Sequence, residues 1–380
     1  MQIYLDHGAT TPIRPEVIDL MVDVMRSHWG NPSSLHGWGE RSTMVIERSR
    51  LQVASLINAD SEGVIFTSGG TESDNMVIMG VARQYPTPQH MIISGVEHSA
   101  IRLPAKFLED RGWDITYLNV DRQGLVNAKD LEMAIRHNTV LVSMIMAQNE
   151  VGTIQPIEKL GQICRNANVL FHTDAVQAIG KIKIDVQSLP IDLLSISAHK
   201  FYGAQGIGAL YLNPLMNKRD GRSLVPLTLG GSQERGYRSG TQAVAAIAGL
   251  GLAAALAEQE LETESERLTK LRDRLYILLA DIPDLIPTGA SGAARLPNHL
   301  SFYHKNMDGR RFVRAMNQAG IAISSGSACS SGAINPSPIL LKMGYSEFEA
   351  KNSIRLTLGK SNHEEDIEWT AKVMHQILCP

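Results

Sequence analysis

Seven apolar runs of five to seven residues punctuate residues 63 to 212: GVIFT (63–67), HMIIS (90–94), ITYLNV (115–120), VLVSMIM (140–146), VLFHTD (169–174), DLLSIS (192–197) and IGALYL (207–212). Helix-periodic stretches such as ESDNMVIMGVARQ and IEKLGQICRNAN separate them. Strands that are apolar on both faces, alternating with helices, require a sheet covered on both sides. The pattern predicts an α/β fold around a mostly parallel, seven-stranded sheet. Ligands of such sheets gather beyond the carboxyl ends of the strands. The polar residues that follow each run are therefore the ones to examine.

At 380 residues the chain exceeds one typical core. A large domain is expected over 13–259. A smaller α+β domain is expected from 260–380, with 1–12 packed against it. A helical pattern runs from Thr241 to Ile282, its second half strongly charged. Shorter elements follow: HLSFYH, a helix near GRRFVRAMNQAG, the stretch SSGSACSSG (324–332), IRLTLG and a last helix. The last helix is expected to open on Ser361-Asn362-His363-Glu364, a capping-box spacing. A net charge of −3 gives no footprint for direct nucleic-acid binding or for an acidic membrane. The run AVAAIAGLGLAAALA (243–257) reads as a buried helix, short of the roughly 20 residues a membrane span needs. No basic segment followed by an apolar core opens the sequence, so no signal peptide is expected. Three cysteines in a long chain argue for a reducing, cytoplasmic setting.

Five stretches carry candidate chemistry. In TSGGTESDN (67–75) a strand gives way to two glycines and a helix start, an anion cradle in which Gly70 and Thr71 would face a phosphate. In SISAHKFYG, Lys200 follows a buried strand; desolvation favours its neutral, nucleophilic amine, and Ser197 and His199 add donors. Asp174 closes the run VLFHTD, where a carboxylate could pair with a protonated pyridine nitrogen, and Gln177 lies one turn on. His98 follows HMIIS, and its imidazole can stack on a flat ring or move protons. Asn149 follows VLVSMIM, its amide within reach of a ring oxygen or a substrate carboxylate. Each has an ordinary alternative: a plain turn, a snorkelling lysine, an N-cap aspartate, a structural histidine, a turn asparagine. Together they describe a pyridoxal 5'-phosphate site, in which the cofactor is the electron sink and the protein supplies orientation and electrostatics.

The ordered series LDHGATTP, GNPSSLH, TSGGTESDN, EHSA, QNEVG, TDAVQ, SAHKFYG, ERGYRSGT, SSGSACSSG and SIRLTLG resembles the cysteine desulfurases of the NifS/IscS type, within the class V aminotransferases. The resemblance covers nearly the whole chain. It implies the aspartate aminotransferase-like fold of pyridoxal phosphate-dependent transferases. The implied activity converts L-cysteine to L-alanine and passes the sulfur to a cysteine as a persulfide, for iron–sulfur clusters or tRNA thiolation. Lys200 would hold the cofactor and act as base, Asp174 would face the pyridine nitrogen and Gln177 the ring oxygen. His98 would stack on the ring, with Asn149 nearby. Gly70, Thr71, Ser197 and His199 would bind the phosphate. Thr241 would reach the phosphate of a neighbouring subunit, which implies a homodimer. Arg355 would clamp the substrate carboxylate, and Cys329 would take the sulfur on a long, mobile loop and hand it to an acceptor protein. Cys164 and Cys379 keep ordinary readings, as a core residue and a residue of a fraying end.

The chain departs from the family pattern at His7 and Gly8, near the expected substrate entrance, at Gln148, and at Ala204 and Gln205, where a positive charge is lost. Longer members of the family it resembles carry a C-terminal extension that helps dock a scaffold protein, and no such docking segment is expected here. Selenocysteine or cystine lyase activity on the same fold is the nearest alternative reading. A non-catalytic scaffold is the more distant one, opposed by Lys200, Asp174, His98 and Arg355 all being in place.

Overall fold

The computed structural model describes residues 2–216, 224–326 and 336–379. Cys329 lies outside the described residues. All seven apolar runs form strands, and these make one sheet: β2 (Val64–Thr67), β3 (His90–Ser94), β4 (Asp114–Leu118), β5 (Thr139–Ile145), β6 (Leu170–Asp174), β7 (Leu193–Ser197) and β8 (Gly208–Leu212). The spatial order is β2-β8-β7-β6-β5-β3-β4. Pairings from β4 through β7 are parallel, and β8 alone runs antiparallel to both its neighbours. Every residue of β2, β3 and β5–β8 is buried, as a sheet covered on both faces requires. Only the edge strand β4 begins exposed.

The helices that bring the site together are α1 (Pro15–Ser27), α2 (Gly37–Leu56), α3 (Gly70–Ala82), α4 (Ser99–Glu109), α5 (Ala128–Ala134), α6 (Ile157–Asn166) and the 35-residue α7 (Val244–Leu278). By length and composition α7 is apolar enough to cross a membrane. Its apolar half instead packs with α1 and α2, and Ile247, Leu250, Ala253 and Ala254 join Val17, Ile46 and Val53 in one cluster. Two glycines make this contact close: a Cβ on Gly251 would lie 2.6 Å from Ser49, and one on Gly249 2.7 Å from the Met21 sulfur. Cys164 is buried in the same cluster, as its helix face predicts.

A second apolar cluster joins Leu268, Leu271 and Leu275 of α7 to Leu300, Phe312, Ile354, Leu356 and Met374. It covers a four-stranded sheet in the order β12 (Ser324–Ser325), β13 (Ser353–Thr357), β10 (His299–His304), β9 (Leu285–Pro287). The remaining α-helices named among the described residues are α8 (Gly309–Gln318), α9 (Pro338–Lys342), α10 (Glu347–Lys351) and α11 (Glu364–Leu378). The N-terminal strand β1 (Ile3–Tyr4) pairs in parallel with β11 (Ile321–Ala322), and Ile3 and Leu5 enter this second cluster.

The last helix begins later than the capping-box spacing predicts. Its N-cap is His363, whose backbone N–H donates to Asp366 Oδ2 at 3.0 Å. Asn362 is spent elsewhere: its Oδ1 accepts from Gly359 N (2.8 Å) and its Nδ2 donates to the Tyr4 carbonyl (3.2 Å). A residue tied down on both sides holds the chain off the helix until the next position. Cys379 follows that helix and is exposed.

Candidate active site

A cavity of about 650 Å³ opens beyond the carboxyl ends of β5, β6 and β7. Gly70, Thr71, His98, Asn149, Asp174, Gln177, Ser197, His199, Lys200 and Arg355 all line it. The sequence therefore predicted ten residues that the fold gathers at one place. Two others are not there. Thr241 is exposed and lies outside the lining of this cavity, and Cys329 falls outside the described residues.

The cradle forms because β2 ends at Thr67 and α3 starts three residues later. Gly69 has φ +148°, a conformation that side chains rarely adopt, and a Cβ on Gly70 would strike Val176 at 2.6 Å. The first N–H groups of a helix have no carbonyl of their own helix to bind. At α3 they border the cavity beside Ser197, the last residue of β7, and the macrodipole adds positive potential there. This donor set suits a phosphate.

Asp174 ends β6 in a buried position, with Oδ1 accepting from Val176 N at 2.9 Å. Burial raises its affinity for a proton, while His98 and Lys200 oppose that shift. A carboxylate so placed is stabilised by a cation, and a pyridinium N–H supplies one. His98 caps α4: its Nδ1 accepts from Ala100 N at 3.2 Å, leaving Nε2 to carry the proton of the neutral ring. Burial lowers its pKa, countered by Asp174.

Lys200 closes the short turn after β7, and its Nζ donates to the carbonyls of Gly8 and Ala9, both at 2.7 Å. Gln177 Nε2 donates to the same Gly8 carbonyl at 2.8 Å. His199 meets Thr10 Oγ1 through Nδ1 at 3.1 Å; burial first, then Lys200 and Lys181, push it down to about 4. The residues before α1 thus line the cavity. Gly8 is part of that lining, but His7 is not: it is buried with both ring nitrogens unpartnered and is pushed down to about 4 by burial. Gly359 explains the inward turn, since a Cβ there would collide with the His7 ring. Of His7 and Gly8, then, Gly8 alone stands at the cavity.

Arg355 lies mid-strand in β13 and is buried. Its Nη2 contacts Asp6 Oδ1 at 2.7 Å and its Nη1 donates to the Asn149 carbonyl at 2.9 Å. The Nε–H is buried without a partner, an open donor for a carboxylate. Gln148 shapes the turn that presents Asn149, its Oε1 accepting from Glu150 N (2.5 Å) and Val151 N (3.0 Å). Gln205 lines the cavity and approaches Thr10 Oγ1 at 3.4 Å.

Sequence reasoning missed several groups. Asp74 lines the cavity, buried with Oδ1 unpartnered, its proton affinity raised by burial and by Asp174. It sits four residues beyond Gly70 on α3, so helical spacing from the cradle could have found it. Glu97, beside His98, is buried with Oε2 unpartnered and is pushed up to about 8. Beneath Lys200, Lys181 donates to the Gln177 carbonyl (2.9 Å) and the Lys200 carbonyl (3.3 Å). Burial and the Lys200 charge lower it to about 7.

Comparison with known proteins agrees with this geometry. The family model for aminotransferase class-V matches residues 3–369. Cysteine desulfurase IscS of Dictyoglomus turgidum is 44% identical over 379 residues, covering 99% of this chain and 94% of that protein. Cysteine desulfurase IscS of Methanosarcina thermophila is 42% identical, covering 99% and 92%. Among solved structures, a NifS-like protein superposes with a TM-score of 0.92 at 34% identity, over 100% of both chains. A structure described as SspA in complex with cysteine matches at 0.81 and 34%, covering 94% of this chain and 99% of that one. The chain belongs to the class V aminotransferase family. Within it, the cysteine desulfurases of the NifS/IscS type are its group.

Proposed function

We propose that this chain binds pyridoxal 5'-phosphate in the 650 Å³ cavity and removes sulfur from L-cysteine, releasing L-alanine. The observation that carries the reading is the convergence there of an anion-binding helix start, a buried carboxylate, a lysine and an arginine with an open donor. Gly70, Thr71, Ser197 and His199 would hold the phosphate, Asp174 the pyridine nitrogen, and Gln177 and Asn149 the ring oxygen side. His98 would cover the ring. When bound, the cofactor supplies an electron sink for the substrate's α-carbon.

Lys200 moves protons at that carbon once its amine is released, and the Gly8 and Ala9 carbonyls steady it. Arg355 fixes the substrate carboxylate through Nε–H, and Asp6 and the Asn149 carbonyl hold its plane. The Cys329 thiolate attacks the substrate sulfur. An S–S bond forms as the C–S bond breaks, the electron pair returns to carbon, and a proton there completes alanine. Thr241 would act on the phosphate of a second copy, so the working unit is a homodimer. The persulfide then passes to an acceptor protein.

All of one apolar cluster falls within 1–12 and 260–380 and nearly all of another within 13–259, which supports that division, while a further cluster joins Val96 and Ile145 to Tyr303, Leu340 and Tyr345 across it. The experiment is to load the protein with cofactor, add L-cysteine and map persulfide by mass spectrometry. Modification of Cys329 with matching alanine is expected. Full L-cysteine turnover by Cys329→Ala would refute the role given to that thiol.

A further inference from the structure

The sheet that carries Arg355 has two unlike faces. Leu300, Phe302, Ile354 and Leu356 point into the second apolar cluster. His299, Ser301, Arg355 and Thr357 alternate with them and are buried on the other face. Ser301 stands opposite Arg355 and His299 opposite Thr357, so His299 is a diagonal neighbour of Arg355. The chemistry above uses Arg355 and leaves His299 unassigned.

His299 reaches the site through one atom. Its Nε2 lies 3.3 Å from the Asn149 carbonyl oxygen, which also accepts from Arg355 Nη1 at 2.9 Å. A carbonyl oxygen has two lone pairs and no proton, so the imidazole is the donor and carries its proton on Nε2. Nδ1 is then a bare acceptor, buried without a partner. The ring stays neutral: burial first, then the Arg295 and Arg355 charges, hold its pKa well below the ordinary value. Room for the ring comes from Gly152, at φ +75°, where a Cβ would fall 2.5 Å from His299 Cγ. Gly152 N in turn donates to the Gln148 carbonyl at 2.8 Å, closing the turn that presents Asn149. An apolar side chain would fill this place without an unpaired nitrogen, so the bond to Asn149 is what the imidazole adds.

We infer that His299 is a positioning residue: together with Arg355 it saturates the Asn149 carbonyl, and so fixes the guanidinium plane that meets the substrate carboxylate. The inference rests on the reading of Arg355 as the carboxylate seat. Asp6 holds Nη2 and the Asn149 carbonyl holds Nη1, which leaves Nε–H for the substrate. The carbonyl is only as well aimed as the turn that carries it. His299 ties that turn to β10, the strand paired with β13, so both partners of the Nη1 bond rest on one support.

The test loads His299→Leu, His299→Gln, Arg355→Lys and the double variant His299→Leu/Arg355→Lys with cofactor. The dissociation constant of L-alanine is read from the change in cofactor absorbance, and kcat and KM for L-cysteine are measured separately. His299→Leu is expected to weaken L-alanine binding and raise KM about three- to tenfold, the loss of one neutral hydrogen bond, with kcat within about twofold. His299→Gln, whose amide N–H replaces Nε2–H, should recover most of the affinity. The double variant should be within about twofold of Arg355→Lys, because His299 acts through the guanidinium. Parental L-alanine affinity in His299→Leu would overturn the inference, as would a fall in kcat with affinity unchanged, or fully multiplied losses in the double variant. Should His299→Leu fail to take up cofactor, His299→Gln decides alone: affinity weaker than the parent's by more than about threefold overturns the inference, since the donor is kept. If Arg355→Lys binds L-alanine as the parent does, the underlying seat falls, whatever His299 does.

Discussion

The floor of the cavity and its Arg355 wall are built by opposite rules. On the floor, Asp174, Ser197 and Lys200 stand at or just beyond the ends of adjacent strands. Burial dominates there: the carboxyls of Asp174 and Asp74 are driven toward neutrality, His199 to about 4 and Lys181 to about 7. On the wall, Arg355 already has a carboxylate at 2.7 Å and a carbonyl at 2.9 Å, recruited from 349 and 206 residues away. A floor in which burial disfavours charge is stabilised by a ligand that brings an anion to the α3 cradle and a cation to Asp174. A wall with its cation already paired serves instead to hold a fixed donor plane for each new substrate.

The comparison fails first at Lys200. Lys200→Ala removes the floor's mobile amine, and kcat for L-cysteine is expected to fall more than about a thousandfold. Cofactor should still bind at the α3 cradle, but borohydride should no longer attach it covalently to the protein; a parental rate would break the assignment. Next comes the wall. Arg355→Lys exchanges a planar fork for a point charge, and hydrogen bonds to charged groups contribute about 1.5–3 kcal/mol. The expected cost is about ten- to a hundredfold, mostly in KM, read from steady-state kinetics with cofactor absorbance unchanged. Smaller still is the effect of Asp6→Ala, which leaves Arg355 charged but unsteadied. A KM rise of about tenfold is expected with kcat nearly constant, and Asp6→Asn, which keeps an acceptor, should recover most of it. Loss of cofactor from either Asp6 variant would show that floor and wall are not separable.

The two regions also differ in how far they could be read from the sequence. The floor was legible because its parts are local: a both-faces-apolar run, then a polar residue, repeated from β2 to β7. Asp6 was not, since its partner Arg355 stands on another element, whereas Asp74 was readable by helical spacing from Gly70 and was missed. Asp6 lies within the quoted LDHGATTP stretch, yet nothing local says it faces a strand near the other end of the chain. The expected capping box failed for a similar reason, as the tertiary bonds of Asn362 outweigh a local spacing. Thr241 was assigned through a second subunit and lies outside the cavity lining.

Glu97 gives the smallest and most physical test, through pH. Its Oε1 accepts from Ser94 Oγ at 2.5 Å and Ile145 N at 2.7 Å, while Oε2 is buried without a partner. Burial outweighs those bonds and moves it from 4.5 up to about 8. The folded protein therefore binds one proton that the unfolded chain has released between those values. The stability this contributes is fully present below pH 4.5 and is lost as pH rises through about 8. Glu150, raised to about 7, acts with the same sign. The buried histidines act oppositely, costing stability as pH falls below 6.5. In Glu97→Gln the proton no longer enters, so melting temperature should fall less steeply between pH 6 and pH 9 than in the parent, by a few degrees over the range. The two should match at the acid end, where the parent's carboxyl is neutral like the amide, and the variant should be the more stable of the two at the alkaline end, where the parent must bury a charge. Parallel curves would mean that Glu97 is ionised throughout, and that a floor cation settles its charge after all.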